Sequence, residues 1–408
     1  MEHGDEAAWG AARSWARSGV MGLCGHPGGP PLLPPLSVAS KLSEMVTEVE
    51  QQTATRGRPV RVSWEAALAG RAALLGLTRQ GAASPNRSCR LLEARCGEVA
   101  LNLSRNEDVD MVPALTGNPG SGDHWTSVAA AASRSSASEF VSRARMLGLA
   151  AAVPGERRPG APYQIAMRAS PKANESDRPW TVVDLSSLWA GPLAARILAE
   201  AGARVTKVED PSRLDGARQS PSFFSWLHPS SERTERFDFK SPAGRKQLAE
   251  LIDSADVVIE ASRPRALEQV GLSPDERNGP DGQVWLSITA HGRTGEGRNW
   301  AGFGDDAAIA GALTCRDADG RTMFCGDAIA DPITGLAGGL AVLKCLARGG
   351  GQLIDLSLSG MAAWAATGDL NNYGPEVRRT KCGWSLALGD RSEPINQRPE
   401  ALDLVGNF

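Results

Sequence analysis

Asp331 heads an apolar run, Ala330-Asp331-Pro332-Ile333-Thr334-Gly335, and a carboxylate in that place has two uses. It can cap a helix, since Asp followed by Pro is a common helix start. It can also act as a nucleophile, its anion stabilised by the positive end of a buried helix whose backbone N–H groups face developing negative charge. Asp327, four residues upstream, is the rival carboxylate. A second candidate is the turn Leu188-Trp189-Ala190-Gly191-Pro192. Small residues there let a ligand approach the backbone, and the helix that follows points its positive end at anions, although a plain strand-to-helix turn reads the same. His291, near a strand end, reads as capping or solvating a turn, and His228 falls in the polar stretch read as a loop. The glycine runs Gly292–Gly297 and Gly349–Gly351 make neither a Walker loop nor a GxGxxG fingerprint. No His, Cys or carboxylate spacing argues for a metal.

The elements that must position these residues begin with Thr181–Glu209. Thr181–Leu185 is an apolar, β-branched run that reads as a buried strand. Pro192 opens a helix with Leu193, Ile197 and Leu198 at helical spacing, and Gly202 ends it. Val205–Val208 is the next strand, so the unit is βαβ with an expected right-handed crossover and parallel pairing. Leu214–Glu235 is polar and irregular and reads as a loop over the sheet. Ser241-Pro242 caps a helix through Leu251. Asp256–Glu260 and Val284–Thr289 read as strands, with a short helix at Arg265–Val270 between them. Alternation of this kind argues for an open, doubly wound sheet with ligands outside the C-terminal strand ends. Ile329–Ala347, small or apolar on nearly every face, reads as a buried helix whose Gly335, Gly338 and Gly339 admit a neighbouring backbone. Gln352–Leu358 returns to the sheet.

Upstream, Ser63–Leu77 is a helix capped by Ser63. Cys89–Leu103 reads as two strands around Arg95-Cys96-Gly97, and Ser136–Gly148 as a helix with a Ser136/Glu139 capping box. Residues 14–42 are rich in Gly and Pro. Set beside Gly311–Leu336 they read as a diverged internal repeat in which Ser40 stands where Asp331 stands, or else as a proline-rich arm. Pro154–Pro179 reads as a linker.

With 408 residues, 41% of them hydrophobic and 22% charged, the chain is long enough for two domains and a large core. Its net charge of −3 supplies no basic field for nucleic acid. The apolar stretch Ile329–Leu346 is interrupted by Asp331, Pro332 and Lys344, so no membrane span is expected. The acidic start lacks the pattern of a secretion signal. Seven cysteines without a CxxC pair fit a reducing cytoplasm.

Five ordered blocks carry a resemblance: DLSSLWAGPLAARILAEAGARVTKVE, FDFKSPAGRKQLAELIDSADVVIEASRPRALEQVGL, VWLSITAHGRTGEGRNWAGFGDD, CGDAIADPITGLAGGLAVL and GGGQLIDLSLS. Together, over roughly Pro179–Met361, they resemble a family III CoA-transferase of the CaiB/BaiF type. The resemblance implies an α/β fold, a Rossmann-like open and mainly parallel sheet with helices on both faces, plus a smaller α+β domain. It divides the chain into a degenerate partial repeat of the large domain with a helix (1–80) and a small α+β domain placed ahead of the large one (81–153). A linker (154–179), the large domain (180–366) and an unassigned tail (367–408) complete the order.

The same resemblance implies coenzyme A or acyl-CoA as substrate, a carboxylic acid as co-substrate and no permanently bound cofactor. It also implies an interlocked homodimer and, as the nucleophile that forms an acyl anhydride, Asp331. CoA contacts implied residue by residue are Leu188, Trp189, Ala190, Phe237, Lys240, Ala261, Ser262, Gln269 and Val270. The family pattern departs at Asp210 and Gln269, where an Arg is common. Arg213, Arg218, Arg263 and Arg265 lie near enough in sequence to substitute. Acyl-CoA racemases of this fold carry a His in the block that here reads Ala301–Asp306, and this chain has none there. Two other readings stay open. One is an acyl-CoA isomerase, racemase or lyase on the same fold. The other is a non-catalytic CoA-binding pseudoenzyme, for which the diverged repeat and missing arginines speak. A nicotinamide oxidoreductase fails for want of GxGxxG.

Overall fold

Two sets of side chains alternate along the central strands, and that alternation fixes the layers. Val182, Ile259 and Leu286 point into one core, while Val183, Val258 and Trp285 point into another. Strands with apolar residues on both faces must be covered on both faces, as parallel sheets are. The computed structural model describes residues 2–118, 123–172, 178–228, 233–368 and 374–398. Its main sheet has seven strands, in the spatial order Tyr163–Met167, Gln352–Ser357, Val284–Thr289, Val257–Glu260, Thr181–Asp184, Arg204–Glu209 and Arg233–Arg236. All neighbours are parallel except the edge strand Tyr163–Met167, which runs antiparallel to Gln352–Ser357. The first strand of the parallel set, Thr181–Asp184, lies in the interior. The chain winds outward from it to Arg233–Arg236, then returns to Val257–Glu260 on its other side. That reversal is the switch point at which such sheets open a crevice for ligands.

On one face the helix Ala330–Ala347 packs against Ala190–Glu200. A Cβ on Gly335 would lie 2.7 Å from the Ala190 carbonyl oxygen, and one on Gly339 would lie 2.9 Å from Ile197 Cδ1. Glycine at these positions lets the two backbones close. The helix runs continuously through Asp331, Pro332 and Lys344, as read from the sequence. By length and composition alone it could cross a membrane, but 83% of it is buried inside the protein. On the opposite face the helix Pro242–Asp253 contributes Leu248 and Ile252 to the second core.

The strands Cys89–Glu93, Glu98–Asn102 and Ala150–Ala152 form an antiparallel sheet. Helices His124–Arg134 and Ala137–Met146 pack on it, the latter with the expected Ser136/Glu139 capping box. Its other face meets Ile309, Ala310 and Phe324 of the larger unit. The helices Glu2–Ser18, Leu36–Ala54 and Trp64–Leu75 send Trp15, Leu42 and Leu68 into the same core as the main sheet. Ser63 caps the third of these through Ala66 N–H, as read from the sequence.

Three stretches differ from expectation. Leu214–Glu235 is not one loop: it holds the helix Pro221–Leu227 and the strand Arg233–Arg236, with Phe223, Trp226 and Leu227 buried. The stretch read as a linker contains the edge strand Tyr163–Met167, invisible to periodicity because most of its side chains face solvent. In the tail, strands Glu376–Thr380, Gly383–Leu388 and Arg391–Pro394 form an antiparallel sheet tied to the N-terminal helix by Arg17–Glu393 at 2.7 Å. The remainder beyond 398 lies outside the described residues. Of the two segments compared as repeats, Gly311–Leu336 holds a hairpin, Thr314–Arg316 with Thr322–Phe324, and Asp331 is the second residue of its helix. Ser40 is instead the fifth residue of Leu36–Ala54, and no hairpin is described before it.

Candidate active site

Asp331 enters its helix through a tight turn in which Ala328 adopts φ 42° and its carbonyl accepts from Asp331 N–H at 2.9 Å. A left-handed alanine costs energy, so the surrounding contacts must hold it there. Gly304, at the start of the helix Gly304–Ala310, faces this turn. A Cβ on Gly304 would sit 2.2 Å from the Ala328 carbonyl oxygen and 2.5 Å from Asp331 Oδ2. Only glycine allows two helix N-termini to meet over one carboxyl group, and the Gly304 backbone donates to it.

Three more carboxylates surround that junction. Asp305 Oδ1 accepts from Ala328 N–H at 2.8 Å, and its Oδ2 accepts from Asn86 Nδ2 at 2.8 Å. Asn86 also reaches Asp327 Oδ1 at 3.2 Å, and Asp327 Oδ2 pairs with Arg71 at 2.8 Å. Asp306 Oδ1 takes hydrogen bonds from Phe303 N–H and Asn102 Nδ2, both at 3.0 Å. Asp305, Asp306 and Asp327 are fully buried, whereas Asp331 keeps partial contact with solvent. Solvent therefore reaches Asp331 far more than the others.

Four carboxyl groups drawn together at one junction cannot all be ionised at low cost. Burial pushes Asp331 up to about 8; Asp305 and Asp306 add to the rise and Arg71 opposes it. Its partial exposure to solvent tempers that rise. Burial also raises Asp306 to about 7, and burial together with Asp327 raises Asp305. Asp327 is raised by burial and held back by Arg71. The rival carboxylate from the sequence is thus an enclosed, paired group.

Arg71 links this cluster to the first turn of the sheet. Its guanidinium lies 5.5 Å from the Trp189 ring centre and 5.7 Å from that of Phe223, and the two rings meet edge to face at 5.2 Å. Trp189 is only 2% exposed, so it belongs to the core and its side chain offers a ligand no face. Leu188 is exposed, with φ 71°, and Ala190 opens the helix, two residues before the expected Pro192. Leu188 N–H donates to Asp215 Oδ1 at 2.9 Å. Beneath the turn Lys207 is buried between Asp215 at 3.0 Å and Asp184 at 3.5 Å and donates to the Ser186 carbonyl. Burial would lower its pKa, yet the two carboxylates hold it above the ordinary value. The turn is thereby fixed by a buried ion network rather than by its own sequence alone.

The other expected contacts fall at successive strand ends. Ala261 and Ser262 follow Val257–Glu260, directly beside the first turn, though the Ser262 hydroxyl is engaged with Glu260 at 2.9 Å. Phe237 and Lys240 follow Arg233–Arg236 on the far side, Phe237 packed partly into the second core and Lys240 exposed. Gln269 is exposed at the C-terminal end of the short helix Pro264–Glu268, and Val270 packs inward. Burial and repulsion from Arg265, Arg105 and Arg213 lower Arg263, so four arginines converge at the crevice. Arg218 is spent on Glu209 at 2.7 Å. His291 is half-buried; desolvation, with Arg145 and Arg157 near, pushes it down to about 3, which keeps it neutral.

Residues 179–384 match the pattern of CoA-transferase family III, which is half of the chain. The chain belongs to that family. Its sequence is 32% identical over 199 residues to an acyl-CoA transferase of Fusarium pseudograminearum, covering 43% of this chain and 44% of that protein. It is 30% identical over 215 residues to the succinate–glutarate CoA-transferase of Agrobacterium fabrum, covering 47% of this chain and 53% of that one. The chain thus spans about half the length of the curated relatives it matches. A CaiB/BaiF family protein from Brucella suis superimposes on 51% of the chain with a TM-score of 0.45 at 25% identity, using 64% of its own length. Arg71, Asn86, Asn102 and Arg105 all come from outside the matched region. Sequence reading missed them because nothing local marks a residue that acts across more than two hundred positions.

Proposed function

We propose that this family III protein is a CoA-transferase that moves CoA from an acyl-CoA thioester to a free carboxylic acid through Asp331. The carrying observation is the position of Asp331, at a buried helix N-terminus, against the Gly304 backbone, and alone among four clustered carboxyl groups in touching solvent. In its ionised form Asp331 attacks the thioester carbonyl, and the C–S bond breaks to release CoA thiolate and leave a mixed anhydride. The thiolate then attacks the aspartyl carbonyl, expelling the donor acid as its carboxylate and forming an aspartyl thioester. An acceptor carboxylate reverses both steps and leaves as the new acyl-CoA. Positive ends of two helices face the oxyanions formed on the way. Arg213, Arg263 and Arg265 suit the phosphates of the nucleotide end, and the small residues of the first turn admit its backbone approach.

Family likeness extends this reading to a homodimer acting in the cytoplasm without a resident cofactor. A second reading, an acyl-CoA isomerase or racemase, is favoured by one observation: Asp331, the solvent-touching member of the cluster, is pushed up to about 8 by burial, a range suited to proton transfer. The test is CoA binding by calorimetry, followed by exchange of labelled carboxylic acids into an acyl-CoA panel. Exchange supports the transferase. Binding with proton exchange at the acyl α-carbon but no acid exchange supports the isomerase. Binding with neither exchange leaves a non-catalytic CoA-binding pseudoenzyme, and failure to bind CoA refutes the transferase.

A further inference from the structure

Five cysteines are buried, and three of them, Cys24, Cys315 and Cys325, come together although 301 positions separate the first from the last. Their Sγ atoms all lie within 4.8 Å of one another. Cys24 follows the helical turn Val20–Leu23, Cys315 lies in the strand Thr314–Arg316, and Cys325 follows its hairpin partner Thr322–Phe324. Their exposures are 0%, 2% and 2%. Gly326, with φ 75°, aims its N–H at Cys24 Sγ at 3.3 Å, a donor placed where a thiolate would accept. The same two segments meet again at the surface, His26 Nε2 lying 3.2 Å from Asp317 Oδ2.

We propose that Cys24, Cys315 and Cys325 form a three-sulfur site for a soft monovalent d¹⁰ cation, Cu(I), that staples the N-terminal segment to the hairpin ahead of Asp327 and Asp331. Thiolates select soft ions, and geometry then chooses among them. Zinc in a structural site wants four ligands. Among the described residues no fourth His, Cys, Asp or Glu atom joins the group. Asp327, two residues beyond Cys325, is taken by Arg71 and Asn86. Enclosure leaves no opening for water as a fourth ligand. Three buried sulfurs within 4.8 Å of one another suit trigonal Cu(I). Each thiol that ligates gives up its proton to solvent as the ion enters, with no change in oxidation state. Arg79, beside Cys24, partly offsets the resulting negative charge. The inference does not depend on the transferase reading.

The test uses the full chain, reduced and held without oxygen, mixed with Cu(I) delivered from its bathocuproine disulfonate complex and then desalted. Copper per chain, ultraviolet thiolate-to-copper absorption and the melting temperature are read. The expected result is one tightly held copper, the absorption band and a higher melting temperature. A Cys96→Ser/Cys382→Ser double variant, which removes the two exposed cysteines, keeps all three. Cys24→Ser, Cys315→Ser and Cys325→Ser each lose the copper. Wild-type protein needs no variant to refute the idea. Copper stripped completely by the chelator, retention of zinc in preference to copper, or a disulfide among these three sulfurs in the protein as isolated overturns it. Copper that follows Cys96 or Cys382 overturns it too.

Discussion

Replacing Arg71 by Met removes the cation paired with Asp327 in the carboxylate cluster, a cation that serves stability and chemistry at once. Asp327 is fully buried and Arg71 only 22% exposed, so the loss strands a desolvated carboxylate. A fully buried pair broken on one side costs about 3–5 kcal/mol. Asn86 still donates to Asp327 and Arg71 keeps some solvent, so about 2–3 kcal/mol is expected here. Arg71 also opposes the rise of Asp331. At an effective dielectric near 20, losing a charge a few residues' breadth away is worth roughly 1–2 kcal/mol, or about one pH unit. The sign is fixed: without the cation the ionised form is less favoured, so the rising limb of the rate against pH moves to higher pH. Arg71→Lys keeps the limb in place. Arg71→Met with Asp327→Asn regains most of the stability, because no carboxylate is stranded, yet keeps the displaced limb. Urea denaturation and a pH–rate profile with an acyl-CoA donor measure both. An unshifted limb in Arg71→Met, with normal folding, would refute the claim that Arg71 tunes Asp331.

Three further outcomes follow from the same geometry. Asp331 is raised in the folded protein, so its contribution to stability is complete below its unfolded value near 4 and is lost as pH rises through about 8. Asp331→Asn is therefore more stable than wild type at pH 9 by roughly 1–3 kcal/mol after allowance for exposure, with little gain at pH 4, and has no transferase activity. Gly304→Ala puts a Cβ 2.2 Å from the Ala328 carbonyl oxygen and costs about 1–3 kcal/mol, with activity falling further than stability because Asp331 shifts. Lys207→Met leaves Asp184 and Asp215 buried without their cation and destabilises by about 3–5 kcal/mol in urea titration, weakening CoA binding through the Leu188 turn.

Much of the fold was legible because its strands are buried on both faces and its helices carry strong caps. Thr181–Asp184, Val257–Glu260 and Val284–Thr289 lie within a residue or so of their expected bounds, and Ser63, Ser136 and Ser241 cap the helices they were expected to cap. The edge strand Tyr163–Met167 and the tail sheet escaped notice because most of their side chains meet water and leave no periodic signal. The site was half legible. Asp331 and the Leu188–Ala190 turn carry local patterns, but Trp189 reads as a ligand contact while packing as core. Arg71, Asn86 and the three clustered cysteines carry no local pattern at all, since their meaning lies in contacts between distant segments.

The central claim is covalent chemistry at Asp331, and intact-protein mass tests it most directly. Wild type and Asp331→Asn are mixed with an acyl-CoA panel in the presence of hydroxylamine, which converts an activated aspartyl carbonyl into a stable hydroxamate. A mass gain on wild type, mapped to Asp331 and missing from the variant, is the predicted result. No adduct across the panel while CoA binding persists contradicts the account.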